Sequence, residues 1–142
     1  MVAGVVILGL ILIASFLTPG GPEKKTKKGV VIITEKEEYK RGEELKVKIE
    51  NNIDERICFS SCYPYYMQKR NGEWVAYLYE ECEKEDMIEK CVEPKQAKAF
   101  ELTVPKVDLG PHRLAIGACI GCQLNETFKK DKNLFSNIFI VE

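Results

Sequence analysis

Six cysteines, Cys58, Cys62, Cys82, Cys91, Cys119 and Cys122, follow an apolar N-terminal stretch, and together they constrain this chain more than any other feature. Residues 1–17 carry no charged side chain. An even number of cysteines in a short chain that enters or crosses a membrane reads as a disulfide framework made in an oxidising space. That framework gives a compartment and a way of holding the fold together. It leaves the ligand open.

The chain has 142 residues. Without the leader and its linker about 110 remain, the size of a single domain. A module of that size buries a core but has little stability to spare, so covalent cross-links matter. The net charge of -1 argues against a dedicated nucleic-acid binder. Charged residues make up 30% of the chain, mostly Lys and Glu, a composition enriched in proteins of hot-living organisms.

Residues 1–17 are apolar on every face. As a helix they would span roughly 24 Å, a little short of a bilayer core. They also exceed the usual apolar region of a cleaved signal, and Ala14-Ser15-Phe16 is a poor cleavage site. The reading favoured is an uncleaved membrane anchor with the domain outside the cytoplasm; the alternative is secretion after cleavage. Lys24, Lys25, Lys27 and Lys28 follow the stretch, which by the positive-inside rule would hold the domain in the cytoplasm. The cysteines outweigh that signal.

Residues 18–29, with Pro19, Gly20, Gly21 and Pro22 followed by charges, read as a flexible linker. From residue 30 to 142 short strands alternate with turns. Residues 30–34 form a β-branched run, and Leu45, Val47 and Ile49 alternate with Lys46, Lys48 and Glu50, the pattern of a half-buried strand. Arg41-Gly42 and Asn51-Asn52 supply the turns on either side of it. A third strand is predicted from 57 past Pro64 to 69, and Asn71-Gly72 is a type I′ hairpin signal leading into 74–79. Residues 80–93 are acidic and irregular, with one helical turn expected around 86–90. Further strands are expected at 97–104, 112–118 and 136–141. Seven short strands without a long amphipathic helix argue for an antiparallel β-sandwich.

The segment from Gly42 to Phe59, GEELKVKIENNIDERICF, resembles the opening strands of bacterial and archaeal immunoglobulin-like modules of the BsuPI (intracellular proteinase inhibitor) type. Asn71-Gly-Glu-Trp-Val75, Leu109-Gly-Pro-His-Arg-Leu114 and Ser136-Asn-Ile-Phe-Ile140 fall where such modules place a hairpin, a penultimate strand and a last strand. The resemblance spans residues 30–142 and implies an immunoglobulin-like β-sandwich of about seven strands, here preceded by an N-terminal hydrophobic helix. Where the family usually has Pro-Gly before its fifth strand, this chain has Pro94-Lys95. The motifs are signatures of fold, and fold does not carry inhibition with it.

In such a sandwich the strand beginning at 57 runs antiparallel to the one beginning at 112, so all six cysteines converge on one end. The pairing favoured is Cys82 with Cys91, and Cys58 and Cys62 with Cys119 and Cys122 in either order. The local alternative, Cys119–Cys122, closes a tight and more reducible loop. Each bridge contributes about 2–4 kcal/mol. Two other readings compete with staples. Cys58-x3-Cys62 and Cys119-x2-Cys122 could give four thiolates to zinc or an iron–sulfur centre. Cys119-Ile-Gly-Cys122 could be a redox dithiol, although nothing signals the helix N-terminus that activates such thiols.

His112 is the only histidine, which argues against catalytic histidine networks. No phosphate loop, nucleophile elbow or zinc-protease motif is present, so no enzyme and no cofactor are expected. The carboxylates of 80–86 read as a solvated loop rather than a calcium site. Asn125-Glu-Thr127 is a glycosylation sequon. Tyr63, Tyr65, Tyr66, Trp74, Tyr77 and Tyr79 gather on one hairpin, where strand alternation turns half of them away from the core. The expected function is a membrane-tethered, extracytoplasmic, disulfide-held binding or structural module that contacts a protein or cell-envelope partner. The alternatives are a peptidase inhibitor acting through an exposed loop, and a cysteine metal or redox domain.

Overall fold

The computed structural model describes residues 28–77 and 81–142. The expected anchor and nearly all of the linker lie outside the described residues, as does Tyr79. Among the described residues no helix is long and apolar enough to cross a membrane.

The described chain is all-β. Its strands are β1 (Val30–Thr34), β2 (Glu38–Tyr39), β3 (Glu44–Asn51), β4 (Ile57–Phe59), β5 (Tyr66–Asn71), β6 (Glu73–Ala76), β7 (Lys90–Val92), β8 (Ala97–Thr103), β9 (Gly110–Ile120), β10 (Lys132–Phe135) and β11 (Phe139–Val141). The smaller sheet has the order β1-β3-β8 and is antiparallel. The larger sheet is organised around β9. Along one edge β9 pairs with β11 and β10, along the other with β5 and β4. Beyond these, β6 pairs with β5, β7 with β4, and β2 lies parallel to β11.

The two sheets enclose one core in a sandwich-like arrangement. Leu45, Val47 and Ile49 are buried while Lys46 and Lys48 are exposed, so the period-2 pattern of β3 sets which face turns inward. From the larger sheet His112, Leu114, Ile116 and Ala118 of β9 point inward, with Phe139 and Val141 of β11. Fully burying each large aliphatic side chain contributes about 1.5–3 kcal/mol.

Eleven strands replace the expected seven because one expected strand is divided and three short ones, β2, β7 and β10, had no signal. The strand expected over 57–69 divides into β4 and β5. Pro64 has no N–H for a ladder, and Ser60, Ser61 and Cys62 bond instead to the Asp86 carboxylate. The last strand, expected over 136–141, begins only at Phe139 and is preceded by the unexpected β10; between them the Ser136 hydroxyl accepts from the Leu114 N–H at 2.9 Å and the Asn137 side-chain oxygen accepts from the Thr34 N–H at 2.8 Å. Asn137 thereby ties the edges of the two sheets together. The helical turn expected around 86–90 is absent; Ile88 is buried and Lys90–Val92 forms β7.

Two turns also differ from expectation. In the β5–β6 hairpin only Gly72 takes a positive φ, of 75°, so the connection is not a type I′ turn. Asn51, expected in a surface turn, is fully buried: its side-chain amide donates to the carbonyls of Glu55, Val92 and Glu93, and its oxygen accepts from the Ile53 N–H.

Candidate functional site

Three cysteines lie side by side across three strands. Cys58 of β4 stands directly opposite Cys91 of β7 on one side and Cys119 of β9 on the other. A residue in a central antiparallel strand faces one neighbour as a hydrogen-bonded pair and the other as a closer, non-bonded pair. The Gly121 N–H donates to the Arg56 carbonyl at 2.8 Å, which makes Arg56–Gly121 a bonded pair and, two residues on, Cys58–Cys119 as well. Cys58 therefore meets Cys91 in the close pair, with a Cα–Cα distance of 4.0 Å, and the bridge forms there. Cys119 then closes with Cys122, and Cys62 with Cys82.

This connectivity corrects the favoured pairing. The adjacency of Cys58 and Cys119 was correctly expected, but adjacency in the wide register does not make a bridge. The expected Cys82–Cys91 link fails because Cys91 is taken into a strand beside β4.

Strand alternation places Cys58, Cys91 and Cys119 on the face of the larger sheet turned away from the sandwich core. There they form a second small core with Ile88, and with the half-buried Cys122 and Phe128. Two segments cover it. The acidic stretch is pinned by the Asp86 carboxylate, which accepts from the Ser60 hydroxyl and from the Ser61 and Cys62 N–H groups at 2.5, 2.8 and 3.2 Å. The 123–131 loop bridges to it through Met87 and Thr127, and the Asn125 N–H donates to the Ile88 carbonyl at 2.9 Å. Asp86 is thus a knot rather than part of a solvated run, while Glu81, Glu83 and Glu85 are exposed. Asn125 is exposed with φ of 65°, and the Thr127 hydroxyl of its sequon donates to Glu85 Oε1 at 3.1 Å.

Among the described residues one group of side chains stands close enough to hold a metal ion: Cys119, Cys122 and Asp131, whose ligand atoms lie within 4.8 Å of one another. The four-cysteine set considered from sequence is not assembled, because Cys62 is bonded to Cys82 and Cys58 to Cys91.

The hairpin aromatics divide as alternation requires. Tyr65 and Tyr77 pack against the main core, and burial pushes the Tyr65 phenol up from its ordinary pKa. Tyr77 stacks on His112 at 6.2 Å, and its hydroxyl accepts from the Asp108 N–H at 2.9 Å. Tyr63 stacks on Tyr66 at 6.0 Å. His112 is fully buried, its Nδ1 is 2.8 Å from the Gly110 carbonyl, and burial holds its pKa below the ordinary value. It is a core residue.

Sequence reasoning missed Arg113. Its guanidinium carbon lies 4.3 Å from the Trp74 ring centre and 3.9 Å from that of Phe135, so the planar group is held between two rings. Its Nε donates to Gln68 Oε1 at 2.8 Å. Partial desolvation there lowers its pKa. The register explains the stack: Gln68 of β5 is directly opposite Arg113, while Trp74 and Phe135 stand on the flanking strands β6 and β10 of the same face. Phe135, Ile138 and Ile140 beside it are 44%, 47% and 39% exposed. An arginine at an outward position next to Pro111 and Ala115, with Phe135 in the hairpin partner, was the available signal.

No family model and no curated protein matches the sequence. Three solved structures are similar at low level. The alkylpurine DNA glycosylase AlkC of Pseudomonas fluorescens, bound to DNA containing an abasic site analog, has a TM-score of 0.41 and 10% identity over 82% of this chain and 31% of its own. The sporulation control protein Spo0M of Bacillus subtilis has a TM-score of 0.40 and 16% identity over 80% of this chain and 49% of its own. A mutant (D270A) β-glucosidase of Listeria innocua in complex with laminaribiose has a TM-score of 0.34 and 20% identity over 80% of this chain and 16% of its own. The chain spans less than half the length of each.

Proposed function

We propose that this chain is a membrane-tethered, extracytoplasmic immunoglobulin-like module, non-catalytic, that binds a protein or cell-envelope partner through the outer face of its larger sheet. The observation that carries the reading is the Trp74–Arg113–Phe135 stack with Ile138 and Ile140 exposed beside it. Large aromatics and arginine are the residues that dominate protein interfaces. A guanidinium already held flat between two rings keeps its geometry when it meets a carboxylate, so little side-chain freedom is lost on binding.

The strand order supports the immunoglobulin-like assignment. β1-β3-β8 corresponds to strands A, B and E; β4/β5, β9 and β10/β11 correspond to C, F and G, with β6 continuing beyond C. Three disulfides fit an oxidising compartment. The tether rests on the apolar residues 1–17.

The test is site-specific photo-crosslinking in the full chain in its native membrane. A probe at Phe135 or Ile138 is expected to give discrete adducts that Arg113→Glu abolishes. A probe at Lys46, on the outer face of the smaller sheet, is expected to give none. Equal yields from both faces, or none from either, refute the assignment; adducts between two copies of the chain identify self-association as its use.

A further inference from the structure

A second site, independent of the aromatic face, lies at the far end of β9. Cys119 ends the buried part of that strand, Gly121 takes a left-handed φ of 72°, and the turn brings Cys122 back beside Cys119. Asp131 reaches the same point from the segment leading into β10, and its Oδ2 accepts the Ile120 N–H at 2.6 Å. That bond fixes the carboxylate while leaving its other oxygen uncommitted by the turn. The two cysteines and Asp131 line an open surface cleft together with Glu126, Thr127 and Lys129. Glu126 is itself held by accepting the Gln123 N–H at 3.2 Å.

We propose that Cys119, Cys122 and Asp131 form a redox-gated site for a thiophilic divalent cation of the zinc class, closed as a disulfide and open to the metal as a dithiol. Two sulfurs at C-x2-C spacing and a carboxylate, with room for a fourth ligand, match the tetrahedral preference of zinc. The sulfurs select against magnesium and calcium, which take oxygen ligands. The Asp131 hydrogen bond to the turn backbone is the kind of orienting contact that tunes such ligands.

The gate is a balanced exchange. A reducing dithiol forms its own internal disulfide as the Cys119–Cys122 bond breaks, so two electrons and two protons pass to the cysteine pair. The cation then displaces both thiol protons. The other two bridges close longer loops. Cys58–Cys91 is buried between strands and closes a separation of 33 residues, and Cys62–Cys82 closes 20, whereas Cys119–Cys122 closes only 3. Opening this last bridge therefore returns the least chain entropy to the unfolded state and costs the fold least. Either the bond or the metal holds the same turn, so the fold persists in both states.

The experiment uses the full chain in mild detergent. Limited treatment with dithiothreitol, followed by alkylation and peptide mapping, is expected to label Cys119 and Cys122 first. After removal of reductant under argon, Co2+ alone is titrated, then displaced with Zn2+. The dithiol form is expected to bind one equivalent, with thiolate-to-cobalt charge-transfer absorption and protection of both cysteines from alkylation; the oxidised form is expected to bind none. Asp131→Asn should weaken affinity by at least about 10-fold while leaving the oxidised protein's disulfides and fold intact, and Cys119→Ser should remove the charge-transfer band. The proposal is overturned if another bridge opens first, if the dithiol takes up no cobalt, or if Asp131→Asn binds as tightly as the parent.

Discussion

The disulfide connectivity makes a quantitative prediction about stability, because two of the bridges are nested and the third stands apart. Cys62–Cys82 lies inside the loop closed by Cys58–Cys91, while Cys119–Cys122 closes a short turn elsewhere. In the chain-entropy description a bridge contributes about 0.6 plus 0.9 ln n kcal/mol at 25 °C for a closed loop of n residues. The isolated turn of Cys119–Cys122 then contributes about 1.9 kcal/mol. With the inner bridge in place, the outer one closes a path of only about fifteen residues and contributes about 3.0 kcal/mol. Removing the inner bridge alone costs about 2.6 kcal/mol, because the outer bridge then constrains a longer loop. Removing both costs about 6.4 kcal/mol, about 0.7 more than the two single losses together.

The assay is equilibrium guanidinium unfolding of the full chain and its paired Cys→Ala variants, followed by the fluorescence of Trp74, the single tryptophan. The expected order of destabilisation puts C119A/C122A below either nested pair, and packing widens the gap to C58A/C91A, since Cys58 and Cys91 are both buried whereas Cys122 is half-exposed. Two results refute the reasoning. One is a C119A/C122A loss equal to that of C58A/C91A. The other is a quadruple variant whose loss falls below the sum of its two pairs, since nesting makes the coupling positive.

His112 gives a pH signature. Burial chiefly, with a smaller push from Lys69, holds its pKa below 6.5, against opposing pulls from the Gly110 carbonyl and Asp108. The unfolded chain therefore takes up this proton first: its contribution to stability is complete above about pH 6.5 and is lost as pH falls from there towards the lower native value. His112→Leu should flatten that part of the stability profile in denaturant titrations at stepped pH, and an unchanged slope sinks the reading. At Lys95, φ is 61°, a left-handed conformation that glycine adopts without a side-chain penalty. Lys95→Gly should raise stability by about 0.5 kcal/mol, relief of the left-handed strain outweighing added chain entropy and the loss of two exposed contacts of its ammonium, a hydrogen bond to the Asn52 carbonyl and an ion pair with Asp54; a loss above about 1 kcal/mol contradicts it.

What the sequence disclosed and what it concealed follow from how far each signal travels along the chain. Leu45, Val47 and Ile49 announce β3 because alternation needs only a few neighbouring residues. The even positions of β9 do the same from His112 to Ala118. β7 and β2 carry no such signal: three and two residues long, they are strands only because β4 and β11 offer them an edge. The Arg113 stack and the Cys119–Cys122–Asp131 group depend on registers between strands that lie far apart in sequence. Pleat phase decides the chemistry of the cysteine end. The single bond from Gly121 to Arg56 sets Cys58 in the close pair with Cys91 and in the wide pair with Cys119. Reverse that phase, and Cys58 would close with Cys119, leaving Cys122 without its partner beside Asp131. The metal-competent dithiol therefore exists only because β7 supplies a third cysteine to occupy Cys58.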